Sequence, residues 1–198
     1  MRKYVIMGVQ GSGKGTQSEM LAADLDLVHI SVGEIFRWNV ANHTKLGTRV
    51  QRVITAGELV ADDLVESVIA RRLAEHDWNY GFILDGFPRN VAQAEFLLRS
   101  YDVDAVIELD LPDSEVRRRV KARDGEARDG EAGARDDDTE QALEVRLREF
   151  HEKTRPVLDL FRHKESVVTV DAMPAREDVQ QEIRSRLGLP AYKGVPAQ

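Results

Sequence analysis

Nine residues near the start, Gly8-Val9-Gln10-Gly11-Ser12-Gly13-Lys14-Gly15-Thr16, constrain this chain more than any other stretch. The apolar run Tyr4-Val5-Ile6-Met7 leads into them, and a helical pattern carrying Met20, Leu21, Leu25 and Leu27 leads out. A short apolar run closed by a glycine predicts a buried strand. Strand, glycine-rich turn and helix, in that order, are the setting a phosphate-binding loop requires. The glycines let successive amides point inward, and the helix N-terminus adds its partial positive charge. Lys14 would then reach the outer phosphates of a nucleotide. Gly15 takes the place directly after the lysine where a hydroxyl is usual, so Thr16 is the available hydroxyl. The spacing does not suit a dinucleotide fingerprint, and a purely structural glycine turn is the remaining alternative.

The rest of the chain alternates in the same way. Val28–Ile30, Phe82–Leu84, Ala105–Leu109 and Ser166–Val170 read as further strands. Ser31 and Glu34 form a capping box before a helix with Ile35, Phe36 and Val40. Asp62-Asp63 opens a helix through Leu64, Val65, Val68, Ile69 and Leu73, and 79–81 is a turn. Helices are expected at 91–100, from a capping Asp113 to about Ala122, from Thr139 through Leu143, Leu147 and Phe150 to Phe161, and at 175–187 before Gly188. The tail from Pro190 reads as frayed. Strands alternating with helices predict an α/β protein with a parallel sheet covered on both faces. Ligands in such folds sit outside the carboxyl ends of the strands, so the informative residues should follow Met7, Leu84, Leu109 and Val170.

Composition narrows the partners. With 28 basic and 35 acidic residues the net charge is −7, which argues against a nucleic-acid grip while leaving room for a local arginine cluster around phosphates. An apolar fraction of 42% suffices for a packed core. The absence of cysteine rules out disulfides, Cys-ligated zinc and a thiol nucleophile. No apolar run nears the roughly 18 residues of a membrane span, and Gly8 comes too early for a signal-peptide core. A cytoplasmic protein without membrane or nucleic-acid partners is the expectation.

Two further stretches carry chemistry. Asp85 closes a strand expected to lie parallel to the one before the phosphate loop. An acid there can orient water on a Mg²⁺ bridging donor phosphates, although a turn-forming Asp looks the same. Arg119 and Arg123 are four apart and share a helix face. Arg117-Arg118-Arg119 invites a nucleic-acid reading that the net acidity and neighbouring carboxylates oppose. Residues 122–138 hold a duplicated pentad, Ala-Arg-Asp-Gly-Glu at 122 and again at 127, then Ala-Gly-Ala-Arg-Asp-Asp-Asp. With no large apolar side chain to bury, this stretch reads as a mobile loop, either a solvated linker or a lid over a phosphate site.

Lys14-Gly15-Thr16, together with Asp85-Gly86-Phe87-Pro88-Arg89 and Gln93, resembles the adenylate kinase group of nucleoside monophosphate kinases over nearly the whole chain, with the motifs in family order. The resemblance implies a three-layer P-loop kinase fold of one domain. Its core would be 1–30, 61–121 and 139–198, with a helical monophosphate-binding insertion at 31–60 and a short lid at 122–138. It implies that Gly11, Ser12, Gly13, Lys14, Gly15 and Thr16 bind ATP, with Arg119 and Arg123 at the donor adenine and phosphates and Pro174 near the donor base. It places Arg37 and Arg89 on the acceptor phosphate, with Glu58, Leu59 and Val60 along the base after Gly57. Val32, Gly86, Phe87, Pro88 and Gln93 join that acceptor site, Gln93 reading the base edge. Arg135 and Arg146 would bridge acceptor and transferring phosphoryl group, and Asp137 and Asp138 would anchor the lid arginines. Lys14, Arg89, Arg119, Arg123, Arg135 and Arg146 are thus the catalytic set, Mg²⁺ the cofactor through Asp85 and water. No zinc is expected, and the protein should be a monomer.

The implied reaction is reversible transfer from MgATP to AMP, giving two ADP. Val32 stands where the family usually has Thr, which leaves a UMP- or CMP-preferring or base-relaxed enzyme as the alternative. Outside the family, a small-molecule kinase acting on an alcohol would not need both Arg37 and Arg89, and a silent nucleotide-binding module would not need Arg135 and Arg146. His29, His43, His76, His151 and His163 have no metal-ligand spacing and are read as ordinary core or surface residues. Trp38 and Trp78 are read as core or interface anchors.

Overall fold

Short β-branched and aromatic runs pair into one sheet in a computed structural model describing residues 1–76, 80–128, 139–163 and 167–192, with backbone alone for 123–128. The strands are β1 (Lys3–Gly8), β2 (Leu27–Ser31), β3 (Gly81–Asp85), β4 (Ala105–Asp110) and β5 (Val167–Asp171). All pair in parallel, in the order β2-β3-β1-β4-β5. The chain winds from β1 to one edge and then returns to the other. That leaves a crevice at the carboxyl end of central β1, where the phosphate loop begins.

Alternation along the strands builds two cores. Val5, Met7, Phe82, Leu84 and Val106 face one layer. Tyr4, Ile6, Ile83, Ala105, Ile107 and Leu109 face the other. The first layer is covered by α2 (Val32–Ala41), α4 (Asp62–Ala74), α5 (Val91–Ser100) and α8 (Arg155–Arg162), with α3 (Lys45–Thr55) against α2. The second is covered by α1 (Lys14–Leu25), α6 (Asp113–Arg128), α7 (Glu140–Glu149) and α9 (Arg176–Arg186). The three-layer α/β fold read from the sequence is the one observed.

Local chemistry sets the boundaries. Gly13 starts α1 at φ 92°, a left-handed conformation natural to glycine. Ser31 caps α2 by accepting from the Glu34 amide at 3.4 Å, as the capping box predicts. Thr44, Asn90 and Thr139 cap α3, α5 and α7 in the same manner.

Several expectations need correction. Leu27, assigned to the first helix, opens β2, because Asp26 in left-handed conformation ends α1. Asp113 is the first residue of α6 and not its cap; its carboxylate lies 3.0 Å from His151 Nε2. That helix passes Ala122 and runs to Arg128, so the loop expected at 122–138 is helical in its first part: Ala, Arg and Glu are good helix formers. Residues 129–138 lie outside the described ones. The helical pattern from Thr139 is interrupted by a π turn, Phe150–Thr154, just before Pro156, which has no amide hydrogen to continue a regular ladder. Pro190 is tied down, its carbonyl accepting from Arg184 Nε at 2.5 Å, and the Tyr192 amide donates to Gln181. Trp38 is 62% exposed and anchors no core. Trp78, Asn79 and Ser166 lie outside the described residues. Among the described residues no helix is long and apolar enough to cross a membrane.

Candidate active site

One cleft of about 460 Å³ opens at the carboxyl end of the sheet. Its floor is the turn after β1. Gly8, Gly11, Gly13, Lys14, Gly15 and Thr16 line it. Lys14 Nζ donates to the carbonyls of Gly8 (2.9 Å) and Val9 (2.8 Å), which holds its ammonium over the loop. Ser12 is the exception: it is buried, its amide donates to the Val9 carbonyl, and it does not reach the lining.

Cations enter from four more elements. Arg37, on α2, lies with its guanidinium against Gly33. Arg89, after β3, donates from Nε to the Gly86 carbonyl at 2.9 Å, and its own carbonyl accepts from the buried Thr154 hydroxyl at 2.7 Å. Arg119, on α6, donates to Glu115 (2.8 Å) and to the carbonyls of Ala172 (2.9 Å) and Met173 (3.2 Å). Arg118 and Arg119 together hold the Glu115 carboxyl down at about 2. Arg146, on α7, donates to Gln10 Oε1 (3.0 Å) and to the Ile54 carbonyl at the end of α3 (3.2 Å), joining the phosphate loop to the 31–60 segment. Arg117 and Arg118 turn elsewhere, to Glu144 and Glu115.

Asp85 ends β3 at the cleft, and a Cβ on Gly15 would stand 3.9 Å from its Oδ2. Burial pushes its carboxyl up, but His29, Lys14 and Arg89 outweigh that and hold it below the ordinary value. His29 Nε2 lies 3.8 Å from Asp85 Oδ2. Burial lowers the imidazole, yet Asp85, helped by Glu34 and Glu19, raises it overall.

Away from the phosphate loop the walls turn apolar, with Val32, Phe36, Ile54, Leu59, Val60 and Val65. Glu58, Gly86, Phe87 and Pro88 also face the cleft, and Gln93 sets one amide into this apolar end. Pro174 is exposed and lies outside the lining. The Arg123 side chain and Arg135, Asp137 and Asp138 lie outside the described residues.

A family model described as adenylate kinase matches residues 6–166. The chain is similar to the adenylate kinase of Parvibaculum lavamentivorans, 39% identical over 97% of this chain and 95% of that one. It is also similar to those of Fusobacterium nucleatum (37%; 93% and 97%) and Mycolicibacterium paratuberculosis (38%; 94% and 99%). The chain belongs to the adenylate kinase family. It is a phosphotransferase of the class that uses a phosphate group as acceptor.

Sequence reasoning missed some residues that an adenylate kinase of this sequence brings to the site. Gln10, inside the glycine loop, accepts from Arg146. Thr154 and Phe150, at the two ends of the π turn, also line the cleft. His29, assigned an ordinary role, stands beside Asp85 because β2 and β3 pair in the register that sets His29 against Ile83. Each depends on a pairing between distant segments that no local pattern encodes.

Proposed function

We propose that this adenylate kinase family member transfers the γ-phosphoryl of MgATP to AMP, reversibly, giving two ADP. The observation that carries the reading is the convergence of Lys14, Arg37, Arg89, Arg119 and Arg146, from five separate elements, on one cleft. Bringing two polyanions end to end is opposed mainly by their charge, and cations fixed in advance offset that repulsion. The acceptor phosphate has a second pKa of about 6, so it is largely ionised at neutral pH and needs no strong general base.

In this reading the loop amides and Lys14 hold the donor phosphates, and Arg119 orients beside them. Arg37 and Arg89 grip the acceptor phosphate, guanidinium being suited to bidentate pairing with phosphate oxygens. Arg146 stands between the two ends. Arg123 and Arg135, with Asp137 and Asp138 as anchors, complete the donor side from the 122–138 segment acting as lid, while 31–60 acts as the acceptor insertion. Closure of these segments excludes water that would hydrolyse the donor. Pro174 is assigned to the donor base through its neighbourhood on the strand-to-helix connection.

The Asp85 carboxylate and Thr16 hydroxyl beside Lys14 are hard oxygen donors, and among the described residues no cluster of three metal-ligating side chains exists. Such a sparse set fits Mg²⁺, which keeps its waters and takes phosphate oxygens, with Asp85 reaching it through water. When bound, Mg²⁺ supplies charge neutralisation on the donor phosphates. The reading extends to a cytoplasmic monomer.

A panel of nucleoside monophosphates with MgATP, followed as diphosphate formed, tests the acceptor; AMP should be the best. Arg89→Ala should slow monophosphate transfer at least about tenfold, some 1.4 kcal/mol of transition-state stabilisation, with MgATP binding largely kept. Equal loss of both would contradict the role given to Arg89.

A further inference from the structure

The amide of Gln93 is buried, 1% exposed, and both of its ends are engaged. Oε1 accepts from the Arg89 backbone N–H at 2.8 Å, and Nε2 donates to Asp62 Oδ1 at 2.7 Å. The two orientations of a glutamine amide are ordinarily hard to tell apart. Here the partners are unambiguous, because a backbone N–H can only donate and a carboxylate oxygen can only accept. Turning the amide over would set NH₂ against N–H and carbonyl oxygen against carboxylate. Asp62 Oδ1 is itself fixed by Asn90 Nδ2 at 2.7 Å, and Asn90 Oδ1 caps α5 by accepting from the Gln93 amide N–H at 2.9 Å.

One lone pair on Oε1 and one hydrogen on Nε2 remain for a ligand. They form an acceptor beside a donor in an order that cannot reverse. A base carrying an amino group next to an unprotonated ring nitrogen complements that order. One carrying a carbonyl next to a ring N–H would need the opposite flip.

We propose that Asp62, which lies behind Gln93 and outside the cleft lining, is a specificity-determining positioning residue: it locks the Gln93 amide so that the pocket takes amino bases and rejects oxo bases. The proposal rests on the reading that Gln93 faces the acceptor base. It deepens that reading, because AMP selectivity then survives the exchange of a hydroxyl for Val32.

The test compares AMP with IMP, which differ only in the amino-to-oxo change and the proton on the neighbouring ring nitrogen. Wild type should favour AMP strongly in kcat/KM. Asp62→Asn, whose amide can offer either a donor or an acceptor, should lower the AMP-to-IMP ratio about tenfold or more while leaving KM for MgATP unchanged. Asp62→Ala serves as the second variant and should move the ratio the same way. A merely structural role would slow both acceptors alike, and an unchanged ratio in both variants overturns the proposal. A wild type that phosphorylates AMP and IMP equally overturns it too, with the kinase reading intact. A wild type that phosphorylates no monophosphate takes down both.

Discussion

Gly57 turns the chain at φ 78°, just after α3, with the backbone of α7 pressed against it. An added Cβ would run into the Ala142 carbonyl and stand 2.9 Å from its Cα. Gly57→Ala should therefore combine left-handed strain with a backbone clash and cost about 2 kcal/mol or more, read from urea denaturation. A variant as stable as wild type would show that the turn after α3 does not lean on α7. The buried pair His29 and Asp85 carries a pH signature. Asp85 is depressed, so its contribution to stability is present above about pH 4 and lost as pH falls through its folded value. His29 is raised, so its contribution is present below about pH 6.5 and lost as pH rises through its folded value. The pair is at full strength between those limits. His29→Gln should thus lose more stability near pH 5.5 than near pH 9, and an equal deficit at both would contradict the coupling. Lys14 was legible from its glycine turn, Arg37 and Arg89 only through the resemblance of the surrounding motifs to the adenylate kinase group, and all three line the cleft. Asp62 was not legible, since Asp at a helix start is ordinary and its partners lie 28 and 31 residues away.

Elements bring those residues into line. The π turn Phe150–Thr154 sits between α7 and α8 and feeds two groups into the cleft wall. Its Thr154 hydroxyl donates to the Arg89 carbonyl, so the segment before Pro156 helps to position Arg89 in the cleft. Thr154→Val keeps the shape and removes that hydrogen bond. It should cost about 1 kcal/mol in denaturation and reduce turnover with AMP more than binding of MgATP. No change in either would show that the carbonyl is held by other means. The sequence reading placed nearly every strand and helix, because period-2 and period-3.6 patterns and cap residues are local. It passed over α3, misplaced the end of α6 and overlooked the π turn. The glycines and aspartates of the duplicated pentad hid the helix-forming Ala, Arg and Glu that carry α6 to Arg128, and the π turn falls just before Pro156 inside a run that otherwise reads as one helix.

At the scale of the whole molecule the cleft works as one unit on a chain of net charge −7. Five cations and five carboxylates line it, Lys14, Arg37, Arg89, Arg119 and Arg146 against Glu19, Glu34, Glu58, Asp85 and Glu149, so affinity for polyanions comes from placement and not from bulk charge. A bisubstrate mimic, two adenosines joined by a phosphate chain, should bind the folded state across both halves. At one hundred times its Kd it should add about 2.7 kcal/mol. For a chain of this size that raises the melting temperature by roughly 5–11 °C. Arg146→Ala should shrink the shift, because that arginine spans phosphate loop and insertion; the absence of any shift in the wild type would contradict a joined site. The sequence by itself determined the α/β layering and the glycine-rich loop between β1 and α1, because each is written in spacings of a few residues. Only the tertiary structure decided that His29 stands beside Asp85, that Gln10 and Ile54 hold Arg146, and that Asp62 orients Gln93. These are contacts between segments far apart in the chain, fixed by strand register and helix packing and not by any local preference.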